Sequence, residues 1–368
     1  MDRRRFTREL LLAAATLPRV ARGFPSNILR AAPPKKILIL GGTNFLGPAC
    51  VDAAIIAGHT VTLFNRGVTN PELYPHLEKL RGYRDPDPTQ QIFASLAQRH
   101  WDAIIDVWPS DPSLVESAAR LLAPRTEHYL FVSSIAAYDF NDYARPGLTE
   151  SGLLAEWKGS SASYRRSKAE SERRLNSIVG PRLTIVRPGP IKGDRDTTPD
   201  LYTWLVRAQS GKHIAPGSGD DHVQMVDVKD VARFLISAID RSIYGTYNLT
   251  GRALTFRQFI DQVRAVEPGQ GAFEWVPTEF LHQHGLDPDP SYIGRFPLWH
   301  PQPDQIGFFQ ISSQKALDAG WVTRPFVETA MDCLYYFALL TQNGLEWTDL
   351  LAPATEKQLL QAWDARAR

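Results

Sequence analysis

Continuous apolar runs punctuate the first half of the chain, and strict alternation is rare there. "KKILIL" (35–40), Val61–Phe64, "DAIIDV" (102–107), "HYLFVSS" (128–134) and "LTIVRP" (183–188) are short, rich in β-branched and aromatic residues, and apolar on successive positions. Such runs suit strands buried on both faces, as in a parallel sheet. Between them lie stretches of helical period: the residues after "GGTNFLG", a segment running through Leu96, Pro112 to Leu122, and a polar helix beginning near Tyr164. Strand and helix alternate, so the pattern predicts an α/β fold with a doubly wound parallel sheet of Rossmann type and right-handed crossovers. After Pro188 the texture changes, with frequent Pro and Gly and shorter strands. There Thr255 is expected to cap the helix "FRQFIDQVRAV", Thr278 to cap "EFLHQHG", and Val327–Leu340 to form a long apolar helix. The expected division is an N-terminal segment 1–34, a nucleotide-binding domain 35–190, and a smaller α/β substrate lobe 191–368, partly interleaved with it.

Composition adds limits to this picture. The 368 residues are 43% apolar and 22% charged, with a formal net charge of +1, a globular profile without the basic excess of a nucleic-acid binder. Cys50 and Cys333 both sit in apolar runs and are expected as buried thiols. The two histidines of "LHQHG" point to different sides of a helix, so no metal site is expected. No run is long enough to span a bilayer. The N-terminus, "DRRRFTR" followed by a short apolar run Leu10–Leu17, resembles a twin-arginine export signal, which implies a periplasmic or exported protein. The alternative is an N-terminal arm packed on a cytoplasmic protein.

"GGTNFLG" follows a strand and opens a helix, the context of a dinucleotide-binding turn. Gly41 allows the tight turn, Gly47 lets helix and strand approach, and the helix N-terminus faces a pyrophosphate. Asn44 stands at the middle glycine position, where tolerance of left-handed backbone would preserve the turn. Gly41, Thr43, Asn44, Phe45, Leu46 and Gly47 are therefore the candidate cofactor contacts. The second strand ends in Asn65-Arg66 without a carboxylate, which favours NADP(H) over NAD(H) because Arg66 can pair with a 2′-phosphate.

"ASYRRSKAESE" places Tyr164 and Lys168 at i and i+4, on one side of a helix. A neighbouring ammonium favours the phenolate, so such a tyrosine can exchange a proton near neutrality. Upstream, Ser133-Ser134 end a parallel strand, where ligands of open α/β sheets collect.

With "LFNRG", "FVSSIAAY", "YRRSK", "IVRPGPIKG", "APGSGDDHVQMVDVKDVARFLI" and "GTYNLTG", these motifs make the chain resemble an extended or atypical short-chain dehydrogenase/reductase of the NAD-dependent epimerase/dehydratase superfamily, from Lys35 onward. The resemblance implies a Rossmann domain, NAD(P), and a sugar or nucleotide-sugar substrate processed by reversible hydride transfer; export through Arg3-Arg4 would require that cofactor to be tightly held. It implies Ser134 as catalytic serine, Tyr164 as acid/base, and Lys168 as the group that lowers its pKa and holds the nicotinamide ribose. Ser133 and Pro188 would lie beside the cofactor. Asp227 would be an N-cap, and relatives often form homodimers. The alternatives are a net NADPH-dependent reductase of a small carbonyl compound and a non-catalytic, nucleotide-sensing or RNA-associated member. Nucleic acid and membrane insertion are not expected. "RFPLWHPQP" (295–303) is a candidate sugar-stacking wall, and Arg207 and Lys212 are candidate contacts for an anionic substrate.

Overall fold

The computed structural model describes residues 33–85, 93, 95–108, 111–160, 163–288, 294–344 and 350–366. The export-like segment before Pro33 lies outside the described residues. The strands are β1 (Lys36–Leu40), β2 (Thr60–Asn65), β3 (Glu78–Arg81), β4 (Trp101–Asp106), β5 (Thr126–Val132), β6 (Leu183–Pro188), β7 (Ile191–Lys192), β8 (Lys212–Pro216), β9 (His222–Val223), β10 (Val226–Asp227), β11 (Gly245–Leu249), β12 (Leu254–Thr255) and β13 (Ala272–Val276). The helices are α1 (Leu46–Ile56), α2 (Pro112–Leu122), α3 (Tyr164–Val179), α4 (Asp200–Arg207), α5 (Val228–Arg241), α6 (Phe256–Val266), α7 (Thr278–Gln283), α8 (Gln314–Asp318), α9 (Phe326–Gln342) and α10 (Pro353–Arg366).

Seven strands form one parallel sheet in the order β11-β6-β5-β4-β1-β2-β3. Chain order reverses direction beside β1, the doubly wound arrangement that opens a crevice at the carboxyl ends of the strands. The apolar runs become its central strands, and all six residues of β6 are buried. One face carries α1 and α5, packed with Ile37, Ile39, Val61 and Leu63. The other carries α2 and α3, packed with Leu38, Leu40, Ile104 and Phe131.

β3 departs from the sequence expectation, which ran a helix through this region to Leu96. Apart from Leu80 its residues are charged, and all four are at least partly exposed, because it is an edge strand, paired with β2 alone. Polar edges resist pairing with other chains, so β3 lacks the apolar run that marks the strands within the sheet. A 3₁₀ turn, Ser95–Gln98, closes that stretch, and most of the expected helix, 86–92 and 94, lies outside the described residues.

The smaller lobe gathers α4, α6, α9, α10 and the parallel pair β8–β13 around a second apolar core. Trp204 anchors it, with edge contacts to Phe256 and Phe259 and its indole N–H on the Pro297 carbonyl at 2.8 Å. Two short pairs, β7–β10 and β9–β12, are interleaved in chain order with elements of the sheet and of this lobe. Cys50 and Cys333 are buried free thiols in separate cores.

Candidate active site

β1 delivers the chain into its glycine turn. Gly41 and Gly42 take φ of +130° and +96°, a backbone that side chains rarely tolerate. A Cβ on Gly47 would lie 2.6 Å from the Gly42 Cα, so α1 approaches the turn as only glycine permits. Phe45, the residue before α1, gives no side-chain cap, and the first turn of α1 carries no carboxylate. Its N–H groups therefore suit an anion, and the turn fits a dinucleotide pyrophosphate. Asn44 is absent from the left-handed positions, so the reason expected for an asparagine there does not hold. The paired glycines ahead of it carry that conformation.

Asn65 crosslinks the turn instead of standing free for a ribose. Its amide donates to the Gly41 carbonyl at 3.0 Å, and its carbonyl accepts from the Gly67 N–H at 2.9 Å. Arg66 is exposed beside it. A second guanidinium escaped sequence reasoning: Arg81 pairs in register with Asn65 and lies across Gly67, where an added Cβ would fall 1.5 Å from its Nη1. The signal was hidden because it depends on β3.

Ser134 leaves the end of β5 as the cap of a 3₁₀ turn, Ile135–Ala137, its Oγ accepting from the Ala136 N–H at 3.1 Å. Ser163 caps α3, which makes Tyr164 its first residue and sets Lys168 one turn on. The Ser134 hydroxyl lies close enough to that of Tyr164 to lower its pKa, so the structure brings these two expected residues together. Tyr164 is 50% exposed as a whole residue. Burial of its hydroxyl end raises its pKa, and the Ser134 contact offsets only part of that rise.

Lys168 differs from its expected role. Its ammonium, almost wholly buried, donates to the Trp108 and Val132 carbonyls, both at 2.6 Å, and stands 5.8 Å from the Tyr164 ring centre. Burial lowers its pKa to about 7, against the opposing charges of Asp106 and Glu172. A lysine so desolvated does not draw the phenol downward, and the Tyr164 shift is upward. This corrects the expected lowering of the tyrosine pKa in the protein without ligand.

Ser133, expected beside the cofactor, has its hydroxyl buried and donating to Glu172 in the core. Glu172 in turn receives Arg187, with Nη2 to Oε2 at 2.6 Å and Nε to Oε1 at 3.0 Å, tying α3 to β6. Asp106 at the end of β4 accepts both Arg84 terminal nitrogens, at 2.9 and 2.5 Å, and the Tyr129 hydroxyl at 2.8 Å. None of these supports was visible as a motif. The loop after β4 joins the two parts of the site: Val107 stands against Gly41, and Trp108 holds Lys168. Pro188, at the buried end of β6, is joined by a trans peptide.

Other candidates fall away from this crevice. Phe296 and Trp299 of "RFPLWHPQP" are buried in the second core and form no exposed stacking wall. Arg207 is buried on Glu356 at 2.5 Å, and Lys212 pairs with Asp364 and Glu274 at the surface. Asp227 caps α5 as expected, accepting from the Lys229 N–H at 2.7 Å. Among the described residues, no group of His, Cys, Asp or Glu is placed to hold a metal, and no helix is long and apolar enough to cross a membrane.

The sheet order and its glycine turn define a Rossmann-like protein with a second lobe. The model of the NAD dependent epimerase/dehydratase family matches residues 37–250, more than half of the chain, and the chain belongs to that family. Among solved structures, a UDP-glucose 4-epimerase aligns over 85% of this chain and 100% of its own, with TM-score 0.62 and 16% identity. The Bordetella bronchiseptica enzyme WbmH in complex with NAD+ aligns over 82% and 98%, with TM-score 0.59 and 16% identity. A curated relative from Arabidopsis thaliana, chloroplast stem-loop binding protein of 41 kDa b, is 28% identical over 240 residues. That match covers 60% of this chain and 60% of the relative's own length.

Proposed function

We propose that the protein is an NAD(P)-dependent epimerase or oxidoreductase acting on a carbohydrate hydroxyl or the ketone derived from it. The observation that carries this reading is the approach of Ser134 to the Tyr164 hydroxyl one helical turn from Lys168, with Val107 and Trp108 linking that lysine to the glycine turn. The turn and the α1 N-terminus would hold the pyrophosphate, and Arg66 with Arg81 favours a 2′-phosphate, hence NADP(H). When bound, the nicotinamide supplies the hydride acceptor and donor. Ser134 holds the substrate oxygen, and Tyr164 takes or returns its proton. Lys168 and Pro188 would stand beside the nicotinamide ribose and ring.

Tyr164→Phe is expected to abolish turnover while leaving cofactor binding intact, measured by hydride exchange and nucleotide titration in parallel. Wild-type turnover in that variant would refute the assignment. Mass spectrometry of nucleotide released on denaturation is expected to show a co-purifying NADP(H). Its absence would contradict a tightly held cofactor.

Arg3-Arg4 motivate a further part of this reading, export in the folded state. An exported enzyme would have no pool of free nicotinamide to draw on, which favours a redox-neutral cycle such as epimerisation. Cytoplasmic localisation would restore the net reductase as the simpler alternative. A second reading, RNA association, is favoured by the name of the Arabidopsis thaliana relative alone. Salt-dependent binding of a stem-loop RNA, without hydride exchange on any sugar, would support it over the first.

A further inference from the structure

The smaller lobe contains a cavity of about 330 Å³, at the lower end of the range roughly 300–1,000 Å³ typical of ligand pockets. Two loops form it: the one after β8, with Asp220, Asp221 and His222, and the one from His300 to Gln310. The second contains the end of "RFPLWHPQP", whose aromatic residues point to the core while His300 and its prolines face the opening.

The walls have a definite chemistry. Asp221 is fixed by the Trp299 indole N–H at 2.8 Å, and Asp220 by the Ser218 hydroxyl at 2.8 Å. His300 is buried against Phe308 and meets Gln305 at 3.4 Å. Carboxylates accept hydrogen bonds, while imidazole and amide groups both give and accept. Phe309 adds an apolar surface. The described walls contain no lysine or arginine. Phosphate and diphosphate groups would therefore meet two carboxylates with no lysine or arginine to offset them, a repulsive pairing. Hydroxyl groups on a ring with apolar C–H faces match the same walls.

The cavity also adjoins the candidate active site through packing. Phe309 and Phe308 share one apolar cluster with Ile135, the residue after Ser134. We infer that this cavity binds an uncharged sugar unit, so that the substrate is a phosphate-free saccharide or glycoside and not a nucleotide sugar. The inference rests on the proposed carbohydrate oxidoreductase activity, and the two fail separately.

The test titrates the full-length protein with a panel of neutral mono- and disaccharides, with UDP-glucose and with UDP, by calorimetry. Hydride exchange is followed spectroscopically on the same panel. At least one neutral sugar is expected to bind, and UDP-glucose to bind more weakly. Asp221→Asn, which keeps the size of the side chain, should weaken the neutral sugar by about tenfold or more, as for loss of a hydrogen bond to a charged group. His222→Ala, away from the Trp299 contact, provides a second variant and should weaken it in the same direction. UDP-glucose binding more tightly than every neutral sugar overturns the inference, as does neutral-sugar binding indifferent to both variants. Hydride exchange with UDP-glucose alone would retain the proposed activity and remove this substrate class. Neutral-sugar binding sensitive to the variants, without hydride exchange on any of the panel, would retain the cavity's role and remove the proposed activity.

Discussion

Lys168 shows what burial does to a residue readable from its spacing. Its pKa falls to about 7 from an ordinary 10.5, chiefly by desolvation. Between those values the unfolded chain carries a proton that the folded protein does not, so this group makes stability rise with pH across that window. Below about 7 both states are charged there, and the cost of burying the ammonium is fully present. Lys168→Met is expected to flatten that part of the stability–pH profile, read by denaturant unfolding at several pH values. An unchanged slope would mean that the lysine stays charged in the fold. Ser134, Tyr164 and Lys168 were legible because their order and spacing are local. The Trp108 and Val132 carbonyls were not, since a backbone acceptor leaves no mark in sequence. Arg81 and Asp106 reach the site only through strand pairing, which joins residues far apart in the chain.

Helix starts were the most readable elements where side chain and backbone agreed. Asp111 and Pro112 open α2, and Thr255 forms a full capping box with Gln258 at the start of α6. Thr255→Ala is expected to cost about 1 kcal/mol, measured by thermal or denaturant unfolding. No change would show that Gln258 and the flanking packing suffice. Thr278 was misplaced by one position: Pro277 precedes α7, and Thr278 is its first residue without a side-chain cap. A proline at such a boundary fixes φ without offering an acceptor side chain. β3 marks the opposite failure, because its polar face belongs to an edge and its identity comes from the neighbouring β2.

At the scale of the whole molecule, a buried ion pair secures the C-terminal helix. Arg207 of α4 and Glu356 of α10 are both almost fully buried, and Glu356 also accepts from the Ile214 N–H of β8 at 2.8 Å. Breaking such a pair leaves a charge without compensation, and Glu356→Ala is expected to destabilise by about 3–5 kcal/mol. Denaturant unfolding checks this. A loss below about 1 kcal/mol would place the pair among surface-like interactions. In sequence, Arg207 read as a candidate contact for an anionic substrate because its partner is nearly 150 positions away.

The sheet has one more consequence, for the making of the protein. Strands β1 to β6 are complete by Pro188, but β11, which covers the edge of β6, ends only at Leu249. A nascent chain between these points would present a strand, every residue of which is buried in the finished fold, with no neighbour on one side. Such an edge invites pairing with other chains. The ribosome must therefore deliver α4, β8 and α5 before the sheet can close.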